Sequence, residues 1–332
     1  MLRTLIRRTV NDDRAAEASR EKTAPSRPLI GLALGGGAAR GFAHIGLLRT
    51  LLAHDIQPDV VVGTSIGAVA GACFVTGNLD TFEAWAHSLT KRGVLGYLDI
   101  SLSGSGLIGG KRLGAQLEKT FGDMLIEDLP VRFAAIATEL HSGHEIWLTR
   151  GRVVDAMRAS YALPGIFNPV RLGGRWLMDG ALVNPVPVSA ARSLGARIVI
   201  GFNLNADLPG HGATIPGHGP DEDDALALAQ LRAHAEASGL SIFNPERFMK
   251  RHFVRAARGP NITSIMVDAF NIMQDRITRT RLAGDPADIL VTPRFGGIGL
   301  LDFHRAKESI ALGAEAGERA IEDIKATIAA LA

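Results

Sequence analysis

The sequence places a serine between two glycines, in the segment Gly63-Thr64-Ser65-Ile66-Gly67. The β-branched run at 60–62 before it is typical of a buried strand, and the small residues at 66–75 are typical of a helix. A serine on a sharp strand-to-helix turn forms a nucleophile elbow, where flanking glycines relieve crowding. The helix N-terminus favours negative charge that develops beside the hydroxyl. Ser65 is therefore a candidate nucleophile, with Gly63 and Gly67 as the glycines of its elbow.

The same region has an alternative interpretation as a membrane span. Residues 60–79 carry no charge, and Gly63, Gly67 and Gly71 are spaced like a small-residue contact between helices. However, the run contains four glycines, two threonines, a serine and an asparagine. This polarity disfavours a span on a transfer scale.

A glycine-rich loop at 35–41 joins a predicted strand at 28–34 to a predicted amphipathic helix at 42–54. A dinucleotide fingerprint requires glycine or alanine where Arg40 stands, and a P-loop requires lysine and then serine or threonine where Phe42 and Ala43 stand. Neither nucleotide site is therefore predicted. Successive glycines also expose backbone N–H groups to a small anion, such as the oxyanion formed at an ester carbonyl. The alternative interpretation of this loop is a tight turn that binds no ligand.

Two polar residues farther along the chain have local explanations. Asp179 follows a short apolar run and precedes Gly180 and Ala181, and most Asp-Gly pairs form Asx turns. It lies 114 positions after Ser65, so only the fold brings the two together. Ser160 ends a predicted helix before a proline-bounded loop, where a capping or turn role is expected.

The composition limits the classes of protein to which the chain can belong. Its 332 residues are sufficient for one large α/β domain or two small ones, and 46% of them are hydrophobic. A formal charge of +2 argues against a nucleic-acid partner, and the single cysteine, Cys73, excludes an intramolecular disulfide. No calcium-loop or zinc-ligand spacing is visible, so no metal and no cofactor are predicted.

Two basic segments are candidates for peripheral membrane contact. Residues 1–10 alternate leucine and isoleucine with arginine, and residues 245–258 cluster arginine and lysine around phenylalanine and methionine. A disordered tail and an ordinary solvated helix are the respective alternatives. The N-terminus lacks the apolar core of a secretory signal. A cytoplasmic location is therefore expected, and contact with the inner face of the membrane is left open.

Four short blocks together resemble the bacterial patatin-like phospholipase family. They are Gly35-Gly36-Gly37 with Arg40-Gly41, the elbow around Ser65, Ala159-Ser160 with Pro164, and Asp179-Gly180-Ala181. The resemblance extends from about 29 to 203, with a closing segment at 288–313. It implies an α/β patatin fold of three layers, in which helices flank a mostly parallel central sheet.

The same resemblance implies a catalytic dyad without histidine. Ser65 is the implied nucleophile and Asp179 the implied base. Gly35, Gly36 and Gly37 are expected to supply oxyanion amides, with Arg40 supporting their loop. No departure from the family pattern is seen within these blocks. The implied activity is hydrolysis of lipid acyl esters.

Three alternatives to this function follow from the residues. A Ser-Asp-His triad would need one of the later histidines to reach Ser65, namely His211, His218, His234, His252 or His304. A lipid-binding or regulatory scaffold would retain the fold without turnover, although simple binding does not require an elbow. An acyltransferase would share the acyl-enzyme and differ only in its acceptor.

The chain is predicted to have four parts. Residues 1–28 form a tail that is disordered or membrane-contacting, and residues 29–205 form the catalytic core. A linker or lid follows at 206–224, and a mainly helical part packs on the core at 225–332. The sequence contains no signal for the oligomeric state.

Overall fold

The computed structural model of the chain describes residues 27–90, 111–205 and 262–331. These residues form the following strands: β1 (Ile30–Leu34), β2 (Val60–Thr64), β3 (Arg132–Glu139), β4 (Glu145–Leu148), β5 (Val170–Leu172), β6 (Arg175–Asp179), β7 (Ile198–Phe202) and β8 (Ile289–Val291). Their α-helices are α1 (Ala43–Ala53), α2 (Ile66–Val75), α3 (Leu79–Ser88), α4 (Lys111–Phe121), α5 (Val153–Ser160), α6 (Val188–Ser193), α7 (Ile262–Gly284) and α8 (Ala306–Leu331). Short 3₁₀ turns include Ala38–Phe42 and Gly180–Leu182.

The described strands form one mixed sheet. Hydrogen-bonded neighbours follow the order β5-β6-β3-β2-β1-β7-β8, and β4 also pairs with β3. The pairs β1–β2, β1–β7, β2–β3 and β7–β8 are parallel, whereas β4, β5 and β6 pair antiparallel. Every residue of β1, β2 and β7 is buried, as continuous apolar strands of a parallel sheet should be when helices cover both faces.

Two strands end next to each other on one edge of β3. The last pair between β2 and β3 is Thr64 with Ile136, and β6 begins to pair one residue later, where Asp179 faces Ala137. β4 pairs with residues of β3 that also pair with β2 or with β6. Therefore β4 lies along one edge of β3, and β2 and β6 both lie along the other edge. The carboxyl ends of β2 and β6 therefore converge from opposite directions.

Apolar side chains pack on both faces of the sheet. One cluster includes Leu32, Leu34 and Val61, and it packs with residues of α1, α2, α5 and α8. The other includes Ala33, Val60 and Val62, and it packs with residues of α6. Alternate residues of one strand thus serve two helical layers, because successive side chains of a strand point to opposite faces. The predicted α/β fold of three layers is confirmed.

The membrane-span interpretation of residues 60–79 is wrong. Within them, β2 is a strand of five residues and α2 a helix of ten, separated by the turn at Ser65. Of the helices that the structure describes, none is both long enough and apolar enough to cross a membrane.

The chain divides into two compact units. The first contains residues 1–207 and 274–332, and the second contains 208–273, of which the structure describes 262–273. Residues 1–26 of the predicted tail, the predicted lid at 206–224 and the basic segment 245–258 lie outside the described residues. The four predicted parts remain predictions.

Candidate active site

Ser65 lies on a strained turn between β2 and α2. Its φ of 56° and ψ of −123° are unusual for a residue with a side chain, and such a conformation costs about 1–3 kcal/mol. A Cβ at Gly63 would lie 2.4 Å from the backbone of Ala68, and one at Gly67 would lie 2.1 Å from the Leu34 carbonyl oxygen. Both flanking positions therefore require glycine, because the turn is packed against other backbone on each side.

The Ser65 hydroxyl donates a hydrogen bond to the Asp179 carboxylate. The distance from Oγ to Oδ2 is 2.7 Å, although the residues are 114 positions apart. The other carboxylate oxygen, Oδ1, accepts from the Ala181 N–H at 2.8 Å, which is the geometry of an Asx turn. Asp179 thus makes the expected local turn and also reaches Ser65. The convergence of β2 and β6 on one edge of β3 brings the two side chains together.

Burial changes the electrostatics of Asp179. The residue is 2% exposed, and desolvation raises the pKa of its carboxyl to about 7, against the opposing effects of the hydrogen bonds from Ala181 and Ser65. Gly180 follows directly, and a Cβ there would lie 2.3 Å from the Ile136 carbonyl oxygen. The buried carboxyl therefore exchanges its proton near neutral pH.

Ser160 has a role at the site that sequence reasoning did not assign. Its hydroxyl accepts a hydrogen bond from the Ser65 N–H at 2.9 Å and donates one to the Ile136 carbonyl at 2.6 Å. The expected capping or turn role is wrong, because both partners lie far away in sequence. No local signal identifies them, since the contact depends on how α5 packs on the sheet.

The amides of the glycine loop are not equivalent. The Gly35 N–H donates to the Phe202 carbonyl at 3.1 Å, and the Gly36 N–H donates to the Pro185 carbonyl at 3.0 Å. These two amides are occupied, which corrects their assignment as oxyanion donors. Among the described residues, no acceptor is found for the N–H groups of Gly37 and Ala38. Ala38 itself has a φ of 46°, in the left-handed region.

Arg40 ties the loop to the segment before α8. Its Nε donates to the Ile298 carbonyl at 2.8 Å, and its guanidinium carbon lies 5.9 Å from the centre of the Phe295 ring. The neighbouring Ala39 N–H donates to the Leu300 carbonyl at 3.0 Å. Arg40 is buried, so these contacts are made away from solvent. Its position agrees with a supporting role rather than direct contact with Ser65.

His44 is a second residue that sequence reasoning missed. It is fully buried at the start of α1, and its Nε2 lies 2.8 Å from the Gly35 carbonyl oxygen. Desolvation lowers the pKa of His44 to about 4, so the ring is neutral at pH 7 and donates through Nε2–H. The apolar neighbours of His44 in the sequence predict burial, but they do not identify its partner. His44 thus holds the first carbonyl of the glycine loop.

We expect His44 to make the fold less stable in mild acid. Between pH 6.5 and 4 the His44 ring is protonated in the unfolded chain but stays neutral in the folded chain. The free energy of unfolding therefore falls as pH falls through this window. Replacing it as His44→Gln keeps an N–H donor for Gly35 and removes the titration. Urea unfolding measures the free energy of unfolding at pH 7.5 and 4.5. The decrease between these two pH values should be smaller in the variant than in wild type by about 2 kcal/mol. Equal losses in both proteins would contradict the assignment.

In the ranges that the structure describes, no histidine is hydrogen-bonded to Ser65 or Asp179; His304 is among these residues, whereas the other four triad candidates are not. Within the same ranges, no group of three or more metal-binding side chains is found.

Comparison with known proteins identifies the family. The Patatin-like phospholipase family matches residues 32–192. An NTE family protein of Mycobacterium tuberculosis is 31% identical, and the alignment covers 90% of this chain and 92% of that protein. The neuropathy target esterase of Drosophila melanogaster is 32% identical over 57% of this chain and 14% of its own length. Patatin-like phospholipase domain-containing protein 7 of Rattus norvegicus is 33% identical over 62% of this chain and 16% of its own length. The chain therefore belongs to the patatin-like phospholipase family, a family of lipid ester hydrolases.

Proposed function

We propose that the protein is a serine lipid acyl hydrolase that cleaves carboxylic ester bonds through a Ser65–Asp179 dyad and an acyl-enzyme. The observation that supports this most strongly is the 2.7 Å hydrogen bond from the Ser65 hydroxyl to a buried carboxylate. A serine hydroxyl is a weak nucleophile until a base takes its proton. Within the described residues, Asp179 is the titratable group in contact with that hydroxyl.

In the acylation step, the Ser65 Oγ attacks the ester carbonyl carbon while its proton passes to Asp179 Oδ2. A carboxyl with a pKa of about 7 is a better base than an ordinary aspartate, since general bases work best with a pKa near the operating pH. The tetrahedral intermediate then collapses. The bond to the leaving oxygen breaks, and Asp179 returns the proton to the departing alcohol.

Deacylation repeats the same proton transfers with water. Asp179 accepts a proton from a water molecule that attacks the acyl-enzyme carbonyl. Collapse of the second intermediate breaks the bond to Ser65, and the proton returns to the serine oxygen. The products are a free fatty acid and the original enzyme.

The negative charge on the carbonyl oxygen needs donors in both steps. We assign this role to the Gly37 N–H and the N-terminal amides of α2, because the Gly35 and Gly36 amides are already bound. A Cβ at Gly36 would lie 3.5 Å from the Ser65 Cβ, so the loop borders the nucleophile closely. Arg40 and His44 stabilise the loop through hydrogen bonds to the Ile298 and Gly35 carbonyls.

The substrate proposed is an acyl ester of a phospholipid or a simpler lipid. Membership in the patatin-like phospholipase family supports this class of substrate. The names of the rat and Drosophila relatives, a phospholipase domain protein and an esterase, agree with it. We propose peripheral contact with the membrane through residues 1–10 or 245–258, because both segments combine basic residues with apolar ones.

A fluorophosphonate probe and a lipid panel test the proposal together. We expect the probe to modify Ser65, identified by peptide mass spectrometry, and the protein to release fatty acids from at least one ester lipid. Prior labelling should abolish that release. Folded protein that hydrolyses lipids without labelling at Ser65 would exclude the dyad, and folded protein that does neither would favour the scaffold. Acyl transfer to an added alcohol in preference to water would identify an acyltransferase.

A further inference from the structure

Ser160 is a buried polar residue that the proposed reaction does not use. It is the last residue of α5 and is 0% exposed. A serine hydroxyl has one proton to donate and two lone pairs to accept with. Because the proton goes to the Ile136 carbonyl, a lone pair faces the Ser65 N–H. Both hydrogen-bond roles of this hydroxyl are therefore fixed by its surroundings.

The hydroxyl bridges β2 and β3 where their own pairing stops. The last register pair of these strands is Thr64 with Ile136. One position later, Ser65 turns away into the elbow, and its N–H reaches the Ser160 hydroxyl. The hydroxyl therefore links Ser65 to Ile136 at the point of strain.

The same end of α5 also holds the second member of the dyad. Two residues after Ser160, the Ala162 carbonyl accepts a hydrogen bond from the Asp179 N–H at 3.0 Å. Residues 160–162 thus bind the backbone amide of Ser65 through a side chain and the backbone amide of Asp179 through a carbonyl. One short segment sets the positions of both residues.

We infer that Ser160 is a positioning residue of the proposed dyad, whose hydroxyl holds the Ser65 backbone at the angle that keeps Oγ on the Asp179 carboxylate. This inference rests on the proposed function. Removal of the hydroxyl takes away the partner of the part-buried Ser65 N–H and the donor to the buried Ile136 C=O, and the turn relaxes to recover hydrogen bonds. A displacement of about 1 Å at a reacting atom lowers turnover by about 100-fold.

The test is the pH profile of lipid ester hydrolysis by Ser160→Ala. We expect kcat to fall about 10- to 100-fold with KM little changed, because the residue orients the nucleophile and does not bind lipid. The apparent pKa of the profile should also rise, since the hydrogen bond from Ser65 lowers the pKa of Asp179 and a displaced Ser65 provides less of it. A merely structural defect would lower the activity equally at every pH.

Two further variants keep the result interpretable. Ser309 is also a serine with 0% exposure, and it lies on α8 outside the site, so Ser309→Ala should retain the wild-type kcat and profile. Ser160→Cys keeps a weak donor and acceptor in a similar volume and should fall between alanine and wild type. If Ser160→Ala does not fold, the kcat and the pH profile of Ser160→Cys test the inference instead.

The outcomes separate this inference from the proposed function. A wild-type kcat and an unshifted profile in Ser160→Ala, or in a folded Ser160→Cys when alanine does not fold, would overturn the positioning role. In that case labelling of wild-type Ser65 and an inactive Ser65→Ala protein would leave the dyad standing. Full activity in Ser65→Ala would instead overturn the dyad and the positioning role with it.

Discussion

The Ser65→Ala protein is expected to be folded and to hydrolyse lipid esters about 10⁴ to 10⁶ times more slowly than wild type. Alanine has no oxygen to attack the ester carbonyl, so the acyl-enzyme cannot form. The fold should persist, because Gly63 and Gly67 set the close packing of the turn and alanine meets the same backbone strain as serine. The measurement is fatty-acid release under initial-rate conditions, with circular dichroism and thermal unfolding for the fold.

An exposed serine provides the matched control. Ser193 lies at the end of α6 with its side chain in solvent, so Ser193→Ala should keep the wild-type rate. Retention of more than about one hundredth of the activity by folded Ser65→Ala, free of contaminating esterase, would contradict the assigned nucleophile.

The Asp179→Asn protein is expected to lose activity and to gain stability at alkaline pH. Asparagine can accept from the Ala181 N–H through Oδ1, but it cannot take a proton from Ser65. We expect kcat to fall by about 10³- to 10⁴-fold. The two effects have opposite signs because burial suits Asp179 to its proposed role as a base and also makes its charge costly to the fold.

The gain in stability follows from the direction of the pKa change. Folding raises the pKa of Asp179 from 3.8 to about 7, so the unfolded chain ionises first as pH rises through this window and the wild-type protein loses stability there. The neutral amide removes this loss. Between pH 5 and pH 8 the difference in unfolding free energy, variant minus wild type, should increase by about 2 to 3 kcal/mol. Urea unfolding at both pH values measures it.

The rate of the wild-type protein is also expected to depend on the ionisation of Asp179. Turnover should rise as pH increases through about 7, since the ionised Asp179 carboxylate is the proposed base. Asp323 is exposed on α8 and provides the control substitution Asp323→Asn, which should leave the rate unchanged. A variant at Asp179 whose stability follows the wild-type pH trend would show that burial does not shift this group.

Some features of the site follow from short stretches of sequence. The elbow is one, because the crowding around Ser65 arises within residues 63–68 and in their contact with β1, where only glycine fits. The Asx turn of Asp179 is another, since its Oδ1 bonds an amide two residues away. Both depend on neighbours in the chain, and residue type and order carry this information.

The supporting contacts were not predictable in the same way. His44 bonds the Gly35 carbonyl and Ser160 bonds the Ser65 amide, yet each residue has a plausible local role that its sequence neighbours cannot exclude. The availability of loop amides is similar. Three successive glycines look alike in sequence, but the Phe202 and Pro185 carbonyls occupy the first two. Which polar group is free depends on the packing of distant backbone.

The sequence by itself determined the α/β class, the elbow at Ser65 and, by resemblance, the identity of its partner. Tertiary structure decided the contact between that serine and Asp179. The two residues are 114 positions apart and meet because β2 and β6 end at consecutive residues of β3. Strand register is set by the packing of whole faces against helices, and this collective property cannot be derived from any local stretch.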